Sequence, residues 1–167
     1  MVRYRAAVLC VLASATIAAA FAADSPAPAA SEAKSTYSYA TNGVWENKAG
    51  GLRLLLDKSN LGGDELEAAE LTLPAGTNVG SHMHQSVEVI YVVSGVYGHE
   101  VNGKLYRLTP GMVGIVRPGD HVRHLVPQSG PAKLLIMWAP PGEAERVFGR
   151  APHTPVEAVP EAKSLEP

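Results

Sequence analysis

Two histidines and a glutamate lie close together in the middle of the chain, at a spacing that suits a metal site. His82 and His84 are separated by one residue, and Glu88 follows four positions later. Side chains two positions apart on a β-strand point to the same face, so both imidazoles can approach a single ion. A short reversal of the chain after His84 would bring Glu88 to the same point from the neighbouring strand. No other part of the sequence groups ligand-type side chains in this way.

Short apolar segments separated by glycine and proline surround these residues, which is typical of an all-β sandwich or closed barrel. Asn102-Gly103 predicts a two-residue hairpin, because both residues adopt positive φ angles readily. Residues 141–148 could form one short closing helix, and a jelly-roll barrel fits the pattern best. The predicted strands are 52–56, 66–73, the segment around His82, 88–94, 96–101, 104–108, 111–116, 121–126 and 133–139.

The histidine segment resembles the first motif of the cupin superfamily. From Gly76 to Gly95 the sequence reads G-x5-H-x-H-x3-E-x6-G, which matches that motif position for position. The resemblance extends over roughly residues 50 to 140. It implies a small single-domain cupin, a double-stranded β-helix that holds one metal ion in its mouth. We therefore assign residues 37–150 to a cupin barrel domain.

The second cupin motif, G-x5-P-x-G-x2-H-x3-N, is matched less closely. Val122 stands at the position where the motif has histidine, and histidines lie on either side at 121 and 124. On a strand, Val122 and His124 share one face, whereas His121 belongs to the other. Three residues also separate His124 from Gln128, as in the motif, with glutamine in place of the asparagine. We predict His124 as the third imidazole, with His121 as the alternative.

The resemblance implies one metal ion bound by His82, His84, Glu88 and His124. Imidazole ligands favour a divalent transition metal (Fe, Mn, Zn, Cu or Ni) over Mg or Ca. Two roles are open for Glu88, a fourth metal ligand or a catalytic general base beside the ion.

Two classes of function follow from this site. In the first, the protein is a metal-dependent enzyme acting on a small oxygenated organic molecule; dioxygenase-like chemistry is favoured by resemblance, with isomerase and decarboxylase chemistry as alternatives. In the second, it is a non-catalytic cupin that binds or senses a metal or small ligand in the periplasm. A roomy cavity with convergent polar groups would favour the enzyme.

The two ends of the chain have the composition of segments outside a folded domain. Residues 1–22 combine a short basic start, a charge-free alanine-rich run and small residues at a cleavage site, which predicts a signal peptide. Residues 23–36 are rich in Ala, Pro and Ser and predict a disordered linker, and residues 151–167 predict an irregular tail. We expect a periplasmic or secreted protein without stable membrane insertion after cleavage.

Charge and the remaining motifs limit the partners. The formal net charge of −2 argues against a nucleic-acid partner, which would call for a basic stripe. A homodimer is implied by resemblance alone. His99, which lies outside both motifs, is predicted to be a surface or rim residue, as is His153 in the tail. Trp45 is expected to pack against the outside of the barrel or a partner subunit.

Overall fold

The computed structural model describes residues 40–159. The predicted signal peptide, the linker and the last eight residues of the predicted tail lie outside the described residues. Within residues 40–159 there are eleven β-strands and two short helices. No helix in this part of the chain is long and apolar enough to cross a membrane.

The elements follow the predicted order, with strand boundaries that differ from the predicted ones by a few residues. They are β1 (Trp45–Asn47), β2 (Leu52–Leu56), α1 (Lys58–Leu61), β3 (Glu67–Leu73), β4 (Asn78–His82), β5 (Val87–Ser94), β6 (Tyr97–Val101), β7 (Lys104–Leu108), β8 (Val113–Val116), β9 (Val122–Leu125), β10 (Ala132–Ala139), α2 (Glu143–Phe148) and β11 (Thr154–Pro155).

The strands form two antiparallel sheets, which confirms the predicted all-β class. The larger sheet has the order β11-β1-β2-β3-β10-β5-β8, and the smaller has the order β4-β9-β6-β7. Among the described residues, strand pairing leaves these as two sheets, so the predicted barrel is not closed by a continuous ring of hydrogen bonds. Many neighbouring strands in these sheets are not consecutive in the sequence, so segments that are distant in sequence lie side by side.

The pattern of β10, in the middle of the larger sheet, shows how the sequence builds the core. Leu134, Ile136 and Trp138 are buried, and the residues between them are partly exposed. This alternation follows from the two-residue period of a strand. Burial of each such side chain contributes roughly 1.5–3 kcal/mol. Tyr97 and Leu108 of the smaller sheet belong to the same cluster, so the two sheets share one core.

Glycines close the turns on either side of the histidine segment. Gly76 and Gly95 adopt φ angles of 76° and 81°, a region that other residues rarely enter. A Cβ atom at Gly95 would lie 2.2 Å from the carbonyl oxygen of Pro131, just before β10. The predicted hairpin at Asn102-Gly103 is confirmed, since both residues have positive φ and join the paired strands β6 and β7.

Three short elements were not predicted, and the pairing of two of them, β1 and β11, explains why Trp45 is buried. β1, α1 and β11 contain only two to four residues, too few to show a periodic pattern. Trp45 was expected outside the barrel or against a partner, but it is 9% exposed and belongs to the core cluster. It is covered because β11, in the predicted irregular tail, pairs with β1. His153 is exposed, with its ring 4.8 Å from that of Trp45.

Replacement of Gly95 by alanine should destabilise the protein more than the same change at Gly103. Both positions have positive φ, which costs an L-residue about 1–2 kcal/mol. Only at Gly95 does the new Cβ meet backbone atoms, since nothing lies within 4 Å of a Cβ at Gly103. Urea unfolding should therefore show a loss for Gly95→Ala at least twice that for Gly103→Ala. Equal losses would contradict the tight packing of this turn against Pro131.

Candidate metal centre

Three histidine side chains converge at one place in the described structure. His82 ends β4, His124 lies on the paired strand β9, and His84 lies in the turn between β4 and β5. One nitrogen from each ring can be chosen so that all three lie within 4.8 Å of one another. The His82 ring centroid is 4.9 Å from that of His84 and 4.9 Å from that of His124. His121, the alternative third imidazole, is exposed and does not belong to this group.

The Nδ1 atom of each histidine has a partner away from the centre of the group. His82 Nδ1 lies 2.8 Å from the carbonyl oxygen of Gly80, and His84 Nδ1 lies 3.2 Å from Glu143 Oε2. His124 Nδ1 is in hydrogen-bond contact with the hydroxyl of Tyr97. A partner at Nδ1 sets the orientation of the ring and the position of its proton. The Nε2 atoms are thereby left to ligate, and those of His82 and His124 are 3.2 Å apart.

Glu88 lies beside this group and approaches it at His84. It is on β5 and 1% exposed, and its Oε2 is 3.4 Å from His84 Nε2. Its Oε1 accepts a hydrogen bond of 2.9 Å from the indole nitrogen of Trp138. Glu88 is not a member of the group in which all ligand atoms lie within 4.8 Å. The carboxylate thus lies beside the histidine group, on the side of His84.

Two buried polar atoms at this site make no hydrogen bond to any described residue, which matches the donor set of a metal ion. They are His84 Nε2 and Glu88 Oε2. An unsatisfied buried polar atom costs about 1–3 kcal/mol, so such atoms are rare unless something else satisfies them. Neutral imidazole nitrogens and a carboxylate oxygen are the ligands that divalent transition metals take. The residues present therefore fit the predicted ion.

Burial keeps two of the three histidines uncharged, as metal ligation requires. Desolvation lowers the pKa of His124 to about 3, with further lowering from the neighbouring His82, His84 and His99. Desolvation also lowers the pKa of His84, against the opposing effect of its hydrogen bond to Glu143. Both imidazoles are neutral at pH 7, and a neutral imidazole has a lone pair to give to a metal.

The carboxylate of Glu88 is shifted in the opposite direction. Burial raises the pKa of Glu88 to about 7, although the hydrogen bond from Trp138 lowers it and the nearby Glu143 raises it further. A carboxyl group with a pKa near neutrality can both accept and release a proton at that pH. This property suits a general base and does not conflict with ligation, because a bound cation would favour the ionised form.

The sequence did not reveal Glu143, which supports His84 from α2. Glu143 is 1% exposed and lies 59 residues from His84. Burial alone would raise the pKa of Glu143, but hydrogen bonds from Arg146, Gln85 and His84 outweigh it and leave this pKa below its usual value. Glu143 is therefore ionised at neutral pH. An acidic residue in the first turn of a short helix is common, and nothing in the sequence marked this one.

The prediction for His99 was wrong. Its side chain was expected at the surface or rim, but it is 3% exposed, and its Nε2 lies 3.4 Å from the carbonyl oxygen of Ile115. His99 pairs in register with His124 and lies on the same inward face of β6 as Tyr97. The alternation of β6 contained this information, because Tyr97 and His99 are two residues apart.

A cavity of about 250 Å³ adjoins the histidines. The three imidazoles, Glu88 and Tyr97 supply its polar groups, and most of the remaining wall is aliphatic or aromatic. No lysine or arginine is among the residues that line it. The apolar lining consists of Leu71, Leu73, Val79, Leu134, Ile136, Trp138, Val147 and Phe148. Concave, mostly apolar spaces with a few convergent polar groups are the usual form of a small-molecule site.

Comparison with solved structures places the fold among the cupins. An RmlC-like cupin from Shewanella frigidimarina matches with a TM-score of 0.52 and 27% identity, over 64% of this chain and 92% of that chain. KdgF from Halomonas matches with a TM-score of 0.50 and 18% identity, over 59% of this chain and 87% of that chain. A protein from Bacillus halodurans matches with a TM-score of 0.50 and 17% identity, over 56% and 72% of the two chains.

The sequence comparisons agree with this result. A search of curated proteins found no significant match to the chain. The sequence model of the cupin domain family matches residues 69–138, a range that contains the three histidines and Glu88. Together with the structural matches, this confirms the predicted jelly-roll fold and the predicted family. Residues 69–138 are thus a cupin domain, and the described fold is that of a small cupin.

Proposed function

We propose that the protein is an exported metal-dependent enzyme with dioxygenase-like chemistry, acting on a small oxygenated organic molecule. The observation that carries the proposal is the cavity of about 250 Å³ beside three converging imidazoles. A site that only stored or sensed a metal would not need an apolar chamber next to the ion. This cavity is the feature expected of a substrate site.

The proposal assigns a role in metal binding or proton transfer to each polar residue of the site. His82, His84 and His124 would hold one divalent transition metal through Nε2, with Glu88 as the fourth ligand or as the general base. When bound, such an ion polarises an oxygen atom of a ligand and lowers the pKa of its proton. Glu88 is placed to accept that proton, because it lines the cavity and its buried Oε2 makes no hydrogen bond to a described residue. Trp138 holds the other oxygen of Glu88 in place.

The cavity lining indicates which shape and charge of substrate would fit the site. Its aliphatic and aromatic wall suits a flat aromatic or a compact aliphatic body, which would exclude water from the ion. The polar groups lie together on the histidine side, so one end of the substrate would carry the oxygen atoms that approach the metal. Without lysine or arginine in the lining, the site is poorly suited to a molecule with several negative charges.

Export and self-association are part of the proposal. Export is supported by the composition of residues 1–22, and the exported protein should begin at Ala23 by N-terminal sequencing.

Self-association is supported by an apolar face on the paired strands β5 and β8, where Tyr91, Val113 and Ile115 are 39%, 49% and 48% exposed. Exposed apolar faces commonly mark interfaces. Sedimentation at micromolar concentration should give a dimer, and a monomer would contradict this part.

The metal site makes a direct prediction about three single variants. The purified protein should bind about one transition-metal ion per chain, as measured by elemental analysis after reconstitution. His82→Ala and His124→Ala should each remove a ligand and lower the affinity by at least tenfold. His121→Ala is the matched control, because His121 is exposed and lies outside the group. A loss with His121→Ala comparable to that with His124→Ala would overturn the assignment of the third imidazole.

The enzymatic proposal predicts that Glu88→Gln separates metal binding from turnover. Oxygen consumption should be screened with catechols, flavonols, thiols and diketones on protein loaded with Fe, Mn, Cu or Ni. If Glu88 is the base, the variant should retain the metal and lose activity by about 10²–10⁴-fold. Loss of the metal itself would assign Glu88 to ligation. Stoichiometric metal binding without turnover of any compound in this screen would count against the enzyme and favour a binding or sensing role.

A further inference from the structure

His84 differs from the other two histidines because no strand holds it. His82 and His124 belong to the paired strands β4 and β9, so sheet hydrogen bonds fix the backbone at both residues. His84 lies in the turn that leads into β5. It is nevertheless buried, at 5% exposure. Its orientation must therefore be set by contacts from outside the histidine segment.

Glu143 supplies these contacts with both of its oxygens. Its Oε2 lies 3.2 Å from His84 Nδ1. Its Oε1 accepts hydrogen bonds from the backbone N–H groups of Gln85, at 2.5 Å, and Ser86, at 3.2 Å. One carboxylate thus binds the ring of His84 and the backbone of the two residues that follow it. Glu88 lies only two residues after Ser86, so the same contact also fixes the backbone between His84 and Glu88.

The helix that carries Glu143 is itself held in place. Arg146, one turn along α2, is in contact with Glu143 Oε2. The backbone N–H of Ala144 donates a hydrogen bond of 2.6 Å to Oε1 of the buried Glu67 on β3. These contacts fix the side chain of Glu143 and the backbone of the residue that follows it, which leaves the carboxylate little freedom to move.

The contact with Glu143 also determines which nitrogen of His84 carries the proton. An ionised carboxylate can only accept hydrogen bonds, so in the neutral ring the proton lies on Nδ1. Nε2 then keeps its lone pair, and this atom makes no hydrogen bond to a described residue, although Glu88 Oε2 lies 3.4 Å away. A nitrogen must be unprotonated to bind a metal. The position of Glu143 therefore favours the form of His84 that is competent to ligate.

We propose that Glu143 is a positioning residue of the metal centre, which holds His84 with its proton on Nδ1 and its Nε2 directed toward the group. The inference rests on the metal site proposed above, but it concerns a property of the metal-free protein as well. It extends the site beyond the cupin motif to α2, near the end of the described chain. Glu143 is assigned no contact with the metal or with a substrate.

Zinc affinity of Glu143→Gln tests the proposal, with Glu145→Gln as the matched control. The glutamine oxygen could still accept from Gln85 and Ser86, but its amide group would oppose two donors, His84 Nδ1 and Arg146. The affinity for Zn²⁺, measured by competition with a chromophoric chelator, should fall about 10–100-fold. Glu145 lies on the same helix and is exposed, so its replacement should leave the affinity within about twofold.

The imidazole protons give a readout that a merely structural role would not move. In ¹⁵N NMR spectra of the metal-free wild-type protein, Nδ1 of His84 should be protonated and Nε2 unprotonated. Glu143→Gln should shift the proton toward Nε2, while Glu145→Gln should not. A proton on Nε2 in the wild-type protein would overturn the proposal without any variant. Wild-type affinity in a folded Glu143→Gln protein would overturn it as well.

The same measurements separate this inference from the proposed function. If the wild-type protein binds no zinc, the metal site itself is refuted, and the NMR result for His84 still decides the role of Glu143. If zinc binds tightly but no compound is turned over, the enzymatic proposal fails and the positioning role is unaffected. Equal loss of affinity in Glu143→Gln and Glu145→Gln would show a general effect of α2 and would contradict the specific role of Glu143.

Discussion

The arrangement of the site depends on keeping several ionisable groups buried and correctly protonated at one place. A charged group taken from water into the protein interior must be paired, or it must lose its charge. Here His84 and His124 become neutral, and Glu143 keeps its charge because four donors surround it. Glu88 lies between these cases, with a pKa near neutrality. The division of charge follows from the partners that each residue has, and it leaves the unshared lone pairs on the side of the cavity.

The fold produces this arrangement by joining strands that are distant in sequence. β4 and β9 bring His82 and His124 together in the smaller sheet, whereas β5 brings Glu88 from the larger one. The shared core then sets the distance between the two sheets. Trp138 of β10 belongs to that core and also donates a hydrogen bond to Glu88, so the packing of the core and the position of the carboxylate depend on one side chain.

The predictable part of the site is the part that depends on local spacing. His82, His84 and Glu88 lie within seven consecutive residues, and a strand and a turn are enough to relate them. His124 required only the alternation of one strand, in which it shares a face with the buried Val122. Glu143 could not be found in this way, because its contact with His84 spans 59 residues and exists only once α2 has packed. For the same reason Trp45 was misplaced, since a two-residue strand from the far end of the chain covers it.

The position of α2 links the two halves of the site. Glu143, in its first turn, orients a histidine of the metal group, and Val147 and Phe148, in its last turn, line the cavity. A molecule that fills the cavity must pack against these two side chains, and any displacement of the helix would be transmitted to His84. By thermodynamic linkage, if a ligand in the cavity changes the metal affinity through the helix, the metal must change the affinity for that ligand by the same factor. The cupin motif alone does not relate the histidine group to the cavity, whereas in this chain one six-residue helix contacts His84 and also lines the cavity.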